Sequence, residues 1–259
     1  MRALEEILSE VRGKIAAAAA RSGRDASEVE VIAVTKTHGP QTVCEAWDAG
    51  LRIVGENKVQ EAAWKRPLAV SGPEWHLIGH LQTNKVRQAL ETFDFFHSVD
   101  SLRLIGKMRR AAEETGRTPR ILLEVNVSGE KSKSGMSADE VPAAVEAVLD
   151  SGAFWLEGFM TMAPFSENPE DARPYFRMLR ELRDGMESRF SVKLPRLSMG
   201  MSGDYEVAVE EGATYVRLGT VLFGDRPKLK RMSSADDGDA PLGGYDSFSG
   251  EGATYKVLD

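Results

Sequence analysis

The chain has 259 residues, 42% of them hydrophobic and 28% charged, which suits one large domain with a substantial core. Its 33 basic and 40 acidic residues leave a net charge of −7, and no basic stretch is dense enough to follow a phosphate backbone, so nucleic acid is not an expected partner. The single cysteine, Cys44, excludes an intramolecular disulfide framework and a cysteine-based zinc site.

Residues 2–21 predict a helix, with Leu4, Ile7, Leu8, Val11 and Ile15 on one stripe. The acidic, amphipathic start does not read as a signal peptide, and no apolar run approaches the roughly 18 residues of a membrane span. A cytoplasmic location is therefore expected, without membrane partners. Apolar runs too short for helices follow at Val31–Lys36, Arg52–Gly55, Trp75–Leu81, Phe93–Val99, Ile121–Val127, Leu156–Met162, Arg196–Met199 and Tyr215–Gly219. Between them lie helical patterns at 40–49, 56–66, 82–91, 100–115, 137–150, 168–190 and 203–211. Cys44 falls in the first of these and is expected as a small buried apolar side chain.

Each strand pattern is preceded by a helix pattern, which implies parallel pairing with crossover helices. The predicted fold is a single α/β domain over residues 1–230, a closed TIM-type (β/α)8 barrel beginning with its N-terminal helix. An open doubly wound sheet is the alternative. Helix 2–21 is expected to fill the gap beside the eighth strand. Residues 231–259 are acidic, glycine-rich and aperiodic, the pattern of a disordered tail.

Barrel sites form at the carboxyl ends of strands. There the sequence places Lys36, Asn57, His80, Asn126, Met160, the segment Gly200–Gly203 and the segment Arg217–Thr220. Alone, Lys36 reads as a surface lysine ending a strand. A lysine there can also hold a carbonyl ligand as an imine. Glycines at 200, 203 and 219 let backbone N–H groups approach an anion, and Ser202 and Thr220 add hydroxyl donors. Helix capping is the alternative role for Ser202. Arg217, two residues before Gly219, shares its strand face and would point inward. There its fixed charge would keep a facing ring nitrogen unprotonated and make the ring a weak electron sink. A core-edge salt bridge with Glu206 or Glu210 is the alternative. An aldehyde, a ring nitrogen and a phosphate together describe pyridoxal 5'-phosphate. His76 and His80, four apart, would lie about 13 Å from each other on a strand, so no metal site is expected. His80 is the candidate site residue and His76 a buried or rim histidine.

The stretches Val34-Thr35-Lys36, Gly55-Glu56-Asn57, Trp75 to Lys85, Ser98 to Ser101, Glu124-Val125-Asn126, Lys133-Ser134-Gly135, Gly158 to Met162, Leu197 to Ser202 and Arg217 to Thr220 occur in order. Jointly they resemble the YggS/PROSC-type pyridoxal phosphate homeostasis proteins, whose fold is like the barrel domain of alanine racemase. That resemblance implies Lys36 as the Schiff-base lysine and Arg217 as partner of the pyridine nitrogen. It implies Ser202, Gly219 and Thr220 as phosphate ligands, Asn57 beside the cofactor, and His80 and Met160 lining the pocket.

Two functions emerge as expectations. In one, a monomeric carrier buffers the vitamin B6 cofactor and delivers it to pyridoxal-phosphate-requiring apo-enzymes. The other is a pyridoxal-phosphate-dependent amino-acid racemase, which needs a base on each face of the substrate Cα. Lys36 supplies one base and no residue stands out for the second, so the carrier is the favoured reading. A phosphate-binding barrel without pyridoxal would leave Lys36 and Arg217 unexplained.

Overall fold

The computed structural model describes residues 3–130 and 133–224. Eight parallel strands close into a barrel in sequence order: β1 (Glu30–Val34), β2 (Ile53–Glu56), β3 (Glu74–Leu77), β4 (Phe95–Val99), β5 (Arg120–Glu124), β6 (Trp155–Met160), β7 (Arg196–Met201) and β8 (Tyr215–Leu218). Pairing of β1 with β8, from Glu30 opposite Tyr215 to Ala33 opposite Leu218, closes the ring. The predicted (β/α)8 barrel is thus the observed fold, and the open sheet is excluded. The expected tail at 231–259 lies outside the described residues.

The helices are α1 (Leu4–Arg21), α2 (Pro40–Asp48), α3 (Val59–Lys65), α4 (Val86–Thr92), α5 (Leu102–Thr115), α6 (Val141–Ser151), α7 (Arg173–Phe190), α8 (Tyr205–Glu210) and a single turn, α9 (Thr220–Phe223). Leu8, Val11, Ile15, Ala18 and Ala19 bury the stripe of α1, which packs against α8 and α9 on either side of β8. It takes the place that a full closing helix would occupy. No helix among the described residues is long and apolar enough to cross a membrane.

Alternation along each strand divides the core in two. Outward side chains such as Val54, Leu77, Phe96, Ile121, Leu123 and Phe159 join the helices in one large cluster. Inward ones, Ile32, Ile53, Phe95, Leu122, Met160 and Tyr215, fill the barrel axis. Each such side chain contributes roughly 1.5–3 kcal/mol by leaving water. The register of β5 and β6 slips between Ile121 and Leu122, so that Leu122 faces Gly158 rather than Glu157. A Cβ at Gly158 would lie 1.8 Å from the Arg196 carbonyl oxygen, and its φ of +151° is a glycine conformation.

Two expectations are corrected here. The third strand ends at Leu77 rather than Leu81 because the chain crosses the end of β2: a Cβ at Gly79 would sit 2.5 Å from the Asn57 carbonyl oxygen. Cys44 is half-buried rather than buried, because it stands next to the inward stripe of α2 formed by Pro40, Val43 and Ala46.

Candidate functional site at the carboxyl-terminal mouth

β1 stops at Val34, and Lys36 stands in the turn after it, half-buried. Thr37, directly after it, has φ +69°, a left-handed conformation that costs energy for a β-branched residue. The flanks of Lys36 are tied down. The Thr35 hydroxyl donates to Glu56 Oε1 at 2.6 Å, and the Thr37 N–H donates to Glu61 Oε1 at 2.5 Å. Lys65, fully buried, donates to the Thr35 carbonyl at 2.9 Å, to Glu56 Oε1 at 2.5 Å and to Glu61 Oε1 at 3.1 Å.

Neighbouring β8 brings the second candidate turn alongside. Gly219 caps α9, Thr220 is its exposed first residue, and a Cβ at Gly219 would touch the Val34 side chain at 3.5 Å. The Ser202 hydroxyl, just past β7, accepts from the Val221 N–H at 3.2 Å. Ser202 therefore joins the β7 turn to the β8 turn rather than capping α8, whose cap position is Asp204.

Arg217 points into the barrel and is 5% exposed. Its Nη1 donates to the Ser198 hydroxyl at 2.7 Å and its Nη2 to the Thr161 carbonyl at 2.9 Å. The alternative salt bridge with Glu206 or Glu210 is not formed. Those acids lie on α8, where Glu206 meets Lys14 and Arg21 while Glu210 meets Arg21 and Arg173. Burial lowers the Arg217 pKa to about 10, with Asp204 and Glu124 pulling the other way, so the guanidinium stays charged at neutral pH.

Beneath Arg217 runs a buried polar column. His97 Nδ1 is 2.9 Å from the Ser198 hydroxyl, and His97 Nε2 is 2.9 Å from His76 Nδ1. His76 Nε2 in turn lies 3.3 Å from Glu74 Oε1 without a well-aligned hydrogen bond. Burial depresses the pKa of both histidines, and both are neutral. A guanidinium can only donate and a carboxylate can only accept, so both ends orient the column the same way. Ser198 donates to His97, His97 donates through Nε2 to His76, and His76 turns its Nε2–H toward Glu74. His76 is thus the buried histidine of the two expected positions. Among the described residues no group of three His, Cys, Asp or Glu side chains is arranged to hold a metal.

Of the remaining candidates, Asn57 comes directly after β2 and is half-buried beside Gly79. Met160 ends β6 fully buried in the axial cluster. His80 stands exposed, with Nδ1 2.8 Å from Asp100 Oδ2. On β5, Leu122 points inward, and so by alternation does Glu124. Burial, reinforced by the charge of Asp100, pushes the Glu124 carboxyl up to about 7 against the pull of Arg217 and His80. All eight candidates thus come from carboxyl ends of strands or the turns after them.

Sequence reasoning gave no role to a second set: Lys65, Glu61 and Glu56 joined under the Lys36 turn, the column that links Ser198 and His97 to the expected buried His76, and Glu124. The spacing of Glu61 and Lys65 by four residues was a usable signal, since it pairs them on one helical face. The mouth offers a primary amine, hydroxyl donors on adjacent turns and a buried fixed cation. That donor set fits a phosphorylated aldehyde bearing a ring nitrogen.

Comparison with known proteins gives the same direction. Residues 8–227 match the family described as alanine racemase, N-terminal domain. A protein of Aquifex aeolicus named pyridoxal phosphate homeostasis protein is 43% identical over 222 residues, covering 85% of this chain and 97% of its own. One of the same name from Escherichia coli is 38% identical over 232 residues, covering 86% and 97%. The structure of PipY from Synechococcus elongatus, solved with PLP bound, superposes with a TM-score of 0.75 at 35% identity, covering 85% of this chain and all of that one.

Proposed function

Because the chain belongs to the alanine racemase N-terminal domain family, and within it to the pyridoxal phosphate homeostasis proteins, we propose that it binds pyridoxal 5'-phosphate and acts in intracellular cofactor homeostasis. Lys36 is the point of covalent attachment. Ser202, Gly219 and Thr220 hold the phosphate, Arg217 faces the ring nitrogen, Asn57 lies beside the ring, and His80 and Met160 complete the lining. The observation that carries this reading is the adjacency of two turns. The Lys36 turn and the Gly219–Thr220 turn close neighbouring strands, with Gly219 in contact range of Val34.

When bound, the cofactor supplies an aldehyde open to attack by an amine. Lys36 supplies that amine from a turn fixed on both sides. Arg217 remains charged and, as a donor only, keeps a proton off any nitrogen it faces, which disfavours carbanion chemistry. The reading is therefore a cytoplasmic, monomeric carrier that buffers the cofactor and passes it to apo-enzymes requiring it.

The test is an absorbance spectrum of purified protein incubated with pyridoxal phosphate, before and after borohydride, with mass spectrometry of the Lys36 peptide. A band near roughly 420 nm that converts to a reduced adduct on Lys36 is expected. Unmodified Lys36 would refute the attachment. Sustained racemisation of alanine that disappears in Lys36→Ala would replace the carrier by an enzyme.

A further inference from the structure

We infer that Lys65, Glu61 and Glu56 form a buried clamp whose role is to hold the Lys36 turn in the conformation that presents its amine. The inference rests on the reading of Lys36 as the attachment point. Its starting observation is a lysine with no exposure at all, on a helix outside the barrel. An ammonium withdrawn from water is costly unless strong acceptors surround it. Lys65 has three: Glu56 Oε1 at 2.5 Å, the Thr35 carbonyl at 2.9 Å and Glu61 Oε1 at 3.1 Å.

The placement of those acceptors is what assigns the role. The Thr35 carbonyl belongs to the residue before Lys36. Glu61 Oε1, which receives Lys65, also receives the N–H of Thr37, the residue after Lys36. The Thr35 side chain is held as well, through its hydroxyl on Glu56 Oε1. Three groups from the end of β2 and from α3 therefore fix the backbone on both sides of Lys36. Thr37 is held at φ +69°, which persists only where surrounding contacts over-determine it.

A triad serving stability alone is a poor explanation. Replacing a buried ion cluster by apolar side chains is often neutral or stabilising, and such a cluster has no reason to converge on the two neighbours of one half-buried lysine. The residues are positioning groups; none is assigned contact with the ligand. Glu56 Oε2, buried and without a hydrogen-bond partner, shows that this arrangement is kept at some cost.

The experiment compares Glu61→Ala, Glu61→Gln and Lys65→Met, each alone and combined with Lys36→Ala. Hydrogen exchange at the Thr37 amide is measured in ligand-free protein. Formation of the borohydride-trapped Lys36 adduct and affinity for pyridoxal phosphate are measured with the cofactor itself. Glu61→Ala should speed exchange at Thr37 and slow adduct formation by roughly 10- to 100-fold. Glu61→Gln, which still offers an acceptor oxygen, should recover most of that loss. In the Lys36→Ala background, Glu61→Ala should change affinity by less than about twofold, because the clamp then has no lysine to present.

Unchanged adduct formation in folded Glu61→Ala would overturn the clamp. So would an affinity loss of equal size with and without Lys36, which would mark a merely structural role. Should Lys65→Met fail to fold, the two Glu61 variants decide the matter. If the unsubstituted protein forms no adduct, the attachment reading fails, and exchange at Thr37 still tests the clamp.

Discussion

Arg217 Nη1 and the Ser198 hydroxyl stand 2.7 Å apart in the barrel interior, and this contact sets the proton direction of the column below it. Ser198→Ala removes the bridge and leaves the guanidinium and His97 Nδ1 each short of a partner, away from water. A loss of about 1–3 kcal/mol in unfolding free energy is expected by urea titration. The spectrum of bound pyridoxal phosphate should shift as well, because Arg217 loses one of the two bonds that aim it.

Arg217→Glu puts a carboxylate where Ser198 and the Thr161 carbonyl expect a donor. Weaker retention of pyridoxal phosphate and an altered absorbance maximum are expected in equilibrium dialysis and spectroscopy. Lys36→Ala should instead abolish the borohydride-trapped adduct while residual, phosphate-anchored binding survives. Identical spectra for the two variants and the parent would remove both residues from the site.

Glu124 makes stability depend on pH. Its carboxyl titrates near 7 in the fold, against an ordinary value of 4.5, because burial and Asp100 disfavour its charge. The folded state therefore holds this proton more tightly than the unfolded chain does. The stabilisation is complete below pH 4.5 and disappears as pH rises through about 7. Glu124→Gln should match the parent at pH 4 and exceed it at pH 8 by up to about 3 kcal/mol in ligand-free protein. Chemical denaturation at both pH values checks the sign, and equal differences at the two would show that Glu124 is ionised throughout.

Gly158→Ala meets the closest approach between backbone and a would-be side chain in the barrel wall. The Arg196 carbonyl, on β7, must move, which disturbs the pairing of β6 with β7, and the φ of +151° becomes strained. A cost of about 3 kcal/mol or more is expected in thermal or urea unfolding. A variant as stable as the parent would mean that β6 and β7 can part locally at Gly158 and Arg196 without cost.

Local pattern carries most of the architecture. Apolar runs of four to seven residues alternate with amphipathic helices, and pairing of that kind leaves few alternatives to a parallel barrel. The strand ends also exposed Lys36, Arg217 and Gly219, because side-chain chemistry at a strand's carboxyl end is informative in this architecture. What stayed hidden depends on closure. The spacing of Glu61 and Lys65 pairs them on one helical face, but nothing between residues 56 and 66 marks Lys65 as buried until β1 and β2 bring Thr35 and Glu56 to it. His97 and Ser198 are 101 positions apart and meet only across the axis. The alternative salt bridge for Arg217 failed for the same reason: Glu206 and Glu210 lie close in sequence, but α8 carries them outside the barrel toward α1 and α7.

Polar side chains also crowd the opposite mouth. Arg120 meets Glu74 and Glu157, Arg196 meets Glu30, and the two guanidinium groups lie over the rings of Phe95 and Tyr215. With that end shut by interlocked charge and the axis filled above it, the barrel is a cup rather than a tube. Whatever enters at the Lys36 end must leave by the same opening. Filling and emptying then share one doorway, so an occupied barrel must empty through the opening by which it would be reloaded.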